Sequence, residues 1–186
     1  NDMIKQEYAN QLKPFVIMAQ YLANKYDCVV ANPPYMGSRG QCELLKIFLK
    51  DNYEYVKTDL FSAFIDQNLH LAKTNGKLGF MTPFVWMFIS SYEELRNTII
   101  NQYDLATLVQ LEYSGFDGAT VPICTFTLNK QHIKDKKSCF IKLSDFKGSV
   151  NQAPKTLEAI KNRNCGWFYE TVTTKFMKIP GSPIAY

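Results

Sequence analysis

The sequence lacks several features that would mark other classes of protein. No apolar run approaches the ~20 residues needed to cross a bilayer, and no basic stretch followed by an apolar block opens the chain as in a signal peptide. We therefore predict a cytoplasmic protein with no membrane segment. The chain has only two histidines and no Cys-x-x-Cys pair, whereas a zinc site needs about four clustered ligands, so we predict no metal site. Five scattered cysteines suit a reducing compartment.

The composition is that of a folded globular domain. Of the 186 residues, 46% are hydrophobic and 20% are charged, which excludes disordered, collagen-like and coiled-coil classes. A chain of this size buries about 70% of its extended surface, so it can form a core without disulfide bonds. The net charge of +4 mildly favours an anionic partner.

The pattern of apolar residues predicts strands that alternate with helices. Residues 3–25 have helical spacing around Pro14, which predicts two helices or one kinked helix. The fold class predicted is α/β, with a mostly parallel sheet and helices packed on its faces. The last two strands are joined by a short segment without a helix, so we expect an antiparallel final hairpin there. The predicted strands are 27–31, 77–82, 105–111 and 122–128, and the predicted helices are 42–52, 59–73 and 90–101.

The character of the chain changes after residue 130. Residues 130–138 are polar, 139–143 form a short strand candidate, and 151–164 are weakly helical. We predict two regions on this basis. Residues 1–135 would be part of a catalytic domain, and residues 136–186 would lead toward a target-recognition region that the sequence does not contain.

The tetrapeptide Asn32-Pro33-Pro34-Tyr35 directly follows the first predicted strand. In open α/β sheets, ligands bind outside the carboxyl ends of the strands. The two prolines fix two φ angles and remove two backbone donors, which leaves a stiff loop with outward carbonyls. The Asn32 oxygen and a backbone carbonyl can accept both hydrogens of one amino group, and Tyr35 offers a flat face beside them. This arrangement suits the exocyclic amine of adenine.

Such a loop can promote methyl transfer by position alone. Two acceptors on the two N–H groups favour a pyramidal nitrogen, whose lone pair then points at a methyl donor. To reach adenine in a duplex, the base must be flipped out, at a cost of a few kcal/mol. Stacking on an aromatic side chain returns about 1–3 kcal/mol per base.

At this point the sequence resembles a known family. Asn-Pro-Pro-Tyr after a strand is the signature of amino-methyltransferases, and three further segments are similar to those of gamma-type adenine-N6 DNA methyltransferases. The resemblance is strongest to large enzymes of the type IIG restriction–modification and BREX phage-defence groups, which have Rossmann-like catalytic domains. The segments are 58–64, 76–83 and 116–121, and residues 178–186 resemble the BREX enzymes in particular.

The resemblance implies roles for individual residues. Asn32 and the Pro33 carbonyl would bind the target amino group, and Tyr35 would stack on the flipped adenine. Phe116 would be a second aromatic at the base, although Tyr113 is close enough to compete and Phe116 is equally suited to packing in the hairpin. The implied cofactor is S-adenosylmethionine, and the implied partner is double-stranded DNA.

Two further residues, which follow the loop in the sequence, fall in the segment that lines the cofactor or target pocket in the family. These are Asp59 and Phe61, and Asp59 is equally suited to be the N-cap of a helix. The family's glycine-rich cofactor turn is missing, and only 31 residues precede Asn32. We therefore expect a fragment with the carboxyl-terminal half of a Rossmann-like sheet, inactive alone, whose exposed edge favours self-association.

Other functions remain open from the sequence. Glutamine-N5 and rRNA guanine-N2 methyltransferases share the NPPY motif. The chain could also be a non-catalytic DNA-binding or assembly part of a defence complex with other subunits.

Overall fold

The computed structural model describes residues 2–116, 118 and 121–186. Within them it has five α-helices, six strands that form one sheet, and short 3₁₀ turns. The helices are α1 (Asp2–Ala23), α2 (Glu43–Asn52), α3 (Leu60–Leu71), α4 (Glu93–Gln102) and α5 (Ser149–Lys161). The strands are β1 (Tyr26–Ala31), β2 (Ala72–Pro83), β3 (Asp104–Gln110), β4 (Ile123–Asn129), β5 (Lys137–Lys142) and β6 (Phe168–Val172).

The sheet is mixed, so the prediction of a mostly parallel sheet is correct for the direction of four strands, β1, β2, β3 and β5, but not for most of the neighbouring pairs. The strand order is β1-β2-β4-β3-β5-β6. The β1–β2 and β3–β5 pairs are parallel, and the β2–β4, β3–β4 and β5–β6 pairs are antiparallel. The predicted β3–β4 hairpin is confirmed, but it does not end the sheet. β4 lies between β2 and β3 and is antiparallel to both, because the described residues between β3 and β4 include no crossover helix that would return the chain for a parallel strand.

The main core lies on one face of the sheet. Alternate residues of the strands point to this face, as the two-residue period of a strand requires. Helices α3 and α4 cover it, and the fully buried Trp86, in the turn after β2, packs on Phe126 with ring centroids 4.8 Å apart. The buried strand residues of this core are Ala72, Leu78, Phe80, Leu105, Leu108, Cys124, Phe126, Leu128 and Phe140.

The other face is covered only in part. A small cluster around Ile141, Leu143 and Ala159 forms under α5. Toward β1 the face is open, and the Val30 side chain is 77% exposed. The β1 edge has no neighbouring strand in the described residues. The sheet therefore has a free edge and a bare apolar face at the same end.

Helix α1 is a single helix with Pro14 inside it, and none of its residues is buried. The prediction of helices packed on the faces is therefore correct for α3, α4 and α5 but wrong for α1. The reason is that the apolar stripe of α1 has no complementary surface within the described residues. None of the described helices is both long and apolar enough to cross a membrane.

The sheet continues past the predicted division at residues 135 and 136. β5 pairs with β3, and β6, which the sequence did not predict, pairs with β5. The chain end returns to the core, where Ile184 is fully buried and Tyr186 lies against Phe140 at 4.5 Å between ring centroids. The division therefore falls within one sheet. The assignment of residues 1–135 to a catalytic domain and of residues 136–186 to a segment that leads toward a target-recognition region stays a prediction.

Candidate active site

The Asn-Pro-Pro-Tyr loop leaves the sheet at the carboxyl end of β1. Pro33 is buried, whereas the side chains of Asn32 and Tyr35 are exposed, Tyr35 to 37%. The Tyr35 hydroxyl lies 3.1 Å from Asn32 Oδ1 and 3.2 Å from the Met81 carbonyl, and it donates its single proton to either oxygen. Met81 belongs to β2, so the tyrosine ring bridges the two parallel strands. Within the described residues no donor is hydrogen-bonded to the Pro33 carbonyl.

A buried aromatic residue packs against the Tyr35 ring. Phe61 is fully buried and meets Tyr35 edge to face, with ring centroids 6.4 Å apart at 86°. Phe61 in turn contacts Tyr92 at 5.6 Å. Partial burial raises the pKa of the Tyr35 hydroxyl above its ordinary value. The phenol therefore keeps its proton, and remains a hydrogen-bond donor, well above neutral pH.

Asp59 fixes the backbone just after the loop. Its Oδ1 accepts a hydrogen bond from Phe61 N at 3.3 Å, which confirms the predicted N-cap of α3. The same oxygen accepts from Met36 N at 2.9 Å. The Met36 carbonyl accepts from Leu60 N at 3.0 Å and from Gln41 Nε2 at 3.1 Å. One carboxylate therefore starts the helix and holds the loop against it.

Phe116 follows β3, which runs in the same direction as β1 and β2. The loop that contains Phe116 therefore starts at the same end of the sheet as Asn32, where the carboxyl ends of these strands lie. The Phe116 ring is 48% exposed and Tyr113 is 64% exposed, and among the described residues no aromatic ring is paired with either. Residues 116–121 are one of the segments that resemble the family. Three of them lie outside the described residues: Asp117, Ala119 and Thr120.

A shallow cavity of about 330 Å³ lies beside Asn32 on the open face of the sheet. Its lining carries no charged side chain, and among its residues are Val30, Gly79, Met81, Thr125 and Thr127. Within the described part of the chain, no group of three or more His, Cys, Asp or Glu residues could hold a metal ion.

S-adenosylmethionine carries a ribose diol and a charged amino-acid end, which require carboxylate and backbone partners. The carboxylate of Asp59 already accepts two backbone N–H groups through Oδ1, and Phe61 is enclosed by protein. Asp59 and Phe61, as the structure describes them, therefore do not by themselves fit the whole cofactor. The roles predicted for Asp59 and Phe61 at the cofactor stay predictions.

Sequence reasoning missed two supports of the site. The Met81 carbonyl is a backbone group, so residue identity gives no signal for it. Gln152, 40 residues after Glu112, accepts a hydrogen bond from the Glu112 backbone at 3.1 Å and so holds the loop after β3. The predicted end of a strand at residue 111 indicates that a loop begins there, but it does not identify Gln152 as the residue that binds the loop.

Comparison with known proteins agrees with this geometry. The model of the Eco57I restriction-modification methylase family matches residues 1–116. The chain is 36% identical over 188 residues to the adenine-specific methyltransferase BrxX of Escherichia coli O9:H4 (strain HS), covering 100% of this chain and 15% of BrxX. It is 33% identical over 191 residues to the adenine-specific methyltransferase PglX of Lacticaseibacillus casei (strain Zhang), covering 100% of this chain and 16% of PglX.

A solved structure shows the same fold. The methyltransferase subunit of a type I restriction-modification system from Streptococcus thermophilus superposes with a TM-score of 0.63 at 18% identity, over 86% of this chain and 37% of that subunit. The chain thus spans only about a sixth of the length of its curated relatives. The resemblance predicted from the sequence is confirmed, and the chain belongs to the Eco57I restriction-modification methylase family.

Proposed function

We propose that this chain supplies the target-base half of an enzyme that methylates the N6 amino group of adenine in DNA. The observation that carries the proposal is the pair of acceptors at the end of β1. The exposed Asn32 side-chain oxygen and the Pro33 carbonyl follow one another along the chain, beside the half-exposed Tyr35 ring. Because the chain is a small part of its relatives' length, the activity is proposed for the full-length protein that contains it.

The two acceptors would orient the amino group of a flipped adenine. Asn32 Oδ1 would accept one N–H and the Pro33 carbonyl the other, which draws the nitrogen lone pair out of conjugation with the ring. The Tyr35 hydroxyl would then donate to the Met81 carbonyl, which already lies 3.2 Å away. The loop can therefore release Asn32 Oδ1 to the substrate without leaving a buried donor unpaired. This preorganisation of acceptors is the contribution of the chain to catalysis.

Methyl transfer also needs S-adenosylmethionine, and most of its contacts would come from residues outside this chain. We expect the isolated chain to bind S-adenosylmethionine no more tightly than millimolar. Isothermal titration calorimetry of the purified chain measures this directly. A dissociation constant in the low micromolar range would contradict the expectation and would place a cofactor site within these residues.

Tyr35 tests the stacking role. In the full-length protein, Tyr35→Ala removes the ring and should lower kcat/KM for DNA about 10- to 100-fold, because base stacking contributes about 1–3 kcal/mol. Tyr35→Phe is the matched control, since it keeps the ring and its edge contact with Phe61 and loses only the hydroxyl. Methylation measured by tritium transfer should fall much further for alanine than for phenylalanine. Equal losses would assign the effect to the hydroxyl and contradict stacking.

A second candidate function is that of a non-catalytic DNA-binding or assembly part, alone or with other subunits of a defence complex. The bare face around Val30 and the exposed α1 favour it. The substrate that the full-length protein methylates distinguishes the proposed function from the alternative functions. A full-length protein that methylates a protein glutamine or an rRNA guanine, but not DNA adenine, would contradict the proposal, and so would one that binds DNA without methylating it.

A further inference from the structure

The loop after β3 is hydrogen-bonded to one buried side-chain amide. Gln152 lies in α5 and is only 6% exposed. Its Oε1 accepts from Glu112 N at 3.1 Å. Its Nε2 donates to the Phe146 carbonyl at 2.6 Å and to the Gly148 carbonyl at 2.9 Å. Both ends of the amide are therefore engaged, so the side chain has a single orientation that ties the loop to α5.

The Glu112 side chain closes the same loop on itself. Its Oε2 accepts from the backbone N–H of Ser114 at 2.9 Å, from the Ser114 hydroxyl at 2.5 Å, and from Gly148 N at 3.3 Å. The Ser114 hydroxyl, more than the backbone donors, lowers the pKa of Glu112. The carboxylate is therefore ionised at neutral pH and accepts all three hydrogen bonds.

Gly115 brings the loop backbone directly onto Gln152. A Cβ at this position would lie 2.7 Å from Gln152 Cδ and 2.8 Å from the Glu112 carbonyl oxygen, closer than carbon atoms can approach. Only glycine fits, so the loop lies flat on the amide. The next residue, Phe116, therefore leaves the loop from a fixed point.

The two aromatic side chains of this fixed loop face the solvent. Phe116 is 48% exposed and Tyr113 is 64% exposed. An anchor that served stability alone would be expected to bury such large apolar side chains, since burial of one contributes about 1.5–3 kcal/mol. Here the backbone is hydrogen-bonded to Gln152 and Glu112, and the rings remain exposed at the end of the sheet that carries Asn32.

We propose that Gln152 is a positioning residue, which acts through residues 111–116 to hold Phe116 ready for the flipped base. This inference rests on the proposed function. It also gives the segment after residue 135 a direct part in the site, because α5 belongs to that segment. Gln152 itself does not touch the base.

The test uses the full-length protein and an adenine-containing duplex, with a second duplex that carries 2-aminopurine at the target position. Gln152→Met keeps the side-chain volume and removes all three hydrogen bonds. It should lower kcat/KM for DNA about 10- to 100-fold, as a displaced positioning group does, and should weaken the 2-aminopurine fluorescence increase that reports flipping. Asn151→Met is the matched control and should change neither, since Asn151 is exposed on the same turn and its side chain donates to the Lys147 carbonyl at 2.6 Å, not to the loop after β3.

A double-mutant cycle with Phe116→Ala decides whether Gln152 acts through Phe116. If it does, Gln152→Met in the Phe116→Ala background causes no further loss of kcat/KM. Independent, multiplying losses would overturn the proposal, and so would a Gln152→Met enzyme with wild-type kcat/KM. If Gln152→Met does not fold, Gly115→Ala disturbs the same contact from the loop side and is subject to the same cycle.

Failure of the proposed function gives a different result. A wild-type protein that methylates no DNA adenine contradicts the proposed function whatever the variants do. The anchor is then still tested by hydrogen exchange of the Glu112 amide. Exchange should be faster in Gln152→Met than in wild type, and an unchanged rate would overturn the inference by itself.

Discussion

Replacement of Asn32 by alanine should lower adenine methylation by the full-length protein at least 100-fold, the typical cost of removing one preorganised hydrogen-bonding group from an active site, about 2.7–4 kcal/mol. The substitution removes one of the two acceptors that orient the amino group. The loss should appear in kcat more than in KM, because the acceptor is most useful when the nitrogen becomes pyramidal. Single-turnover methylation of a duplex with saturating S-adenosylmethionine measures the chemical step directly.

The fold should survive this substitution. The Tyr35 hydroxyl loses one acceptor but keeps the Met81 carbonyl at 3.2 Å, and Asn32 is exposed. Asn101→Ala, on the exposed end of α4, is the matched control and should retain full activity. An Asn32→Ala enzyme within threefold of wild type, with an unchanged melting temperature, would remove Asn32 from the catalytic assignment.

Replacement of Arg96 by methionine should lower the free energy of unfolding by roughly 2–6 kcal/mol, since two of its carbonyl acceptors are fully buried and each buried acceptor left unpaired costs about 1–3 kcal/mol. Arg96 is fully buried in α4. Its guanidinium donates to the carbonyls of Trp86 at 2.8 Å, Ile89 at 2.7 Å and Ser182 at 3.0 Å. It also donates to Gly181 at 2.5 Å.

This guanidinium joins two distant parts of the chain. The carbonyls of Trp86 and Ile89 belong to the turns after β2, and those of Gly181 and Ser182 belong to the chain end. Burial lowers the pKa of Arg96, an effect that Glu93 partly opposes. Domains have only about 5–15 kcal/mol of stability, so the loss would be a large share.

Urea denaturation followed by circular dichroism measures the effect. Arg163→Met is the matched control, because Arg163 forms an exposed ion pair with Glu170 at 2.8 Å, and such pairs contribute about 0–1 kcal/mol. If the two substitutions cost the same, the four carbonyls would not depend on Arg96 for their hydrogen bonds.

The sequence predicted where most strands lie and that β3 and β4 form a hairpin, but not how the other strands pair. The run before Asn32 and the breakers after it were enough to place β1, because these signals are local. The direction of β4 relative to β2 is a contact between residues far apart in the chain, such as Phe80 and Phe126. No local pattern encodes that contact. β6 was missed because Phe168 and Tyr169 are adjacent aromatics, which breaks the alternation typical of a strand.

The candidate site divides in the same way. The Asn-Pro-Pro-Tyr loop was found because two prolines and an amide after a buried strand are a local signal with a chemical meaning. The cap role of Asp59 was also visible locally, and its second hydrogen bond to Met36 N was not. Gln152 could not be singled out, since a glutamine near a helix start is common and its partner Glu112 is distant in the chain.

The double use of Asp59 has a consequence for how the site can move. The Met36 backbone N–H donates to Asp59, and the Met36 carbonyl accepts from Leu60 and Gln41. These hydrogen bonds join the loop to the start of α3. We therefore expect the loop backbone to keep its position when a base binds, and the response to come from the side chains of Asn32 and Tyr35. Rotations of exposed side chains take picoseconds to nanoseconds, so opening of this loop should not limit the proposed reaction.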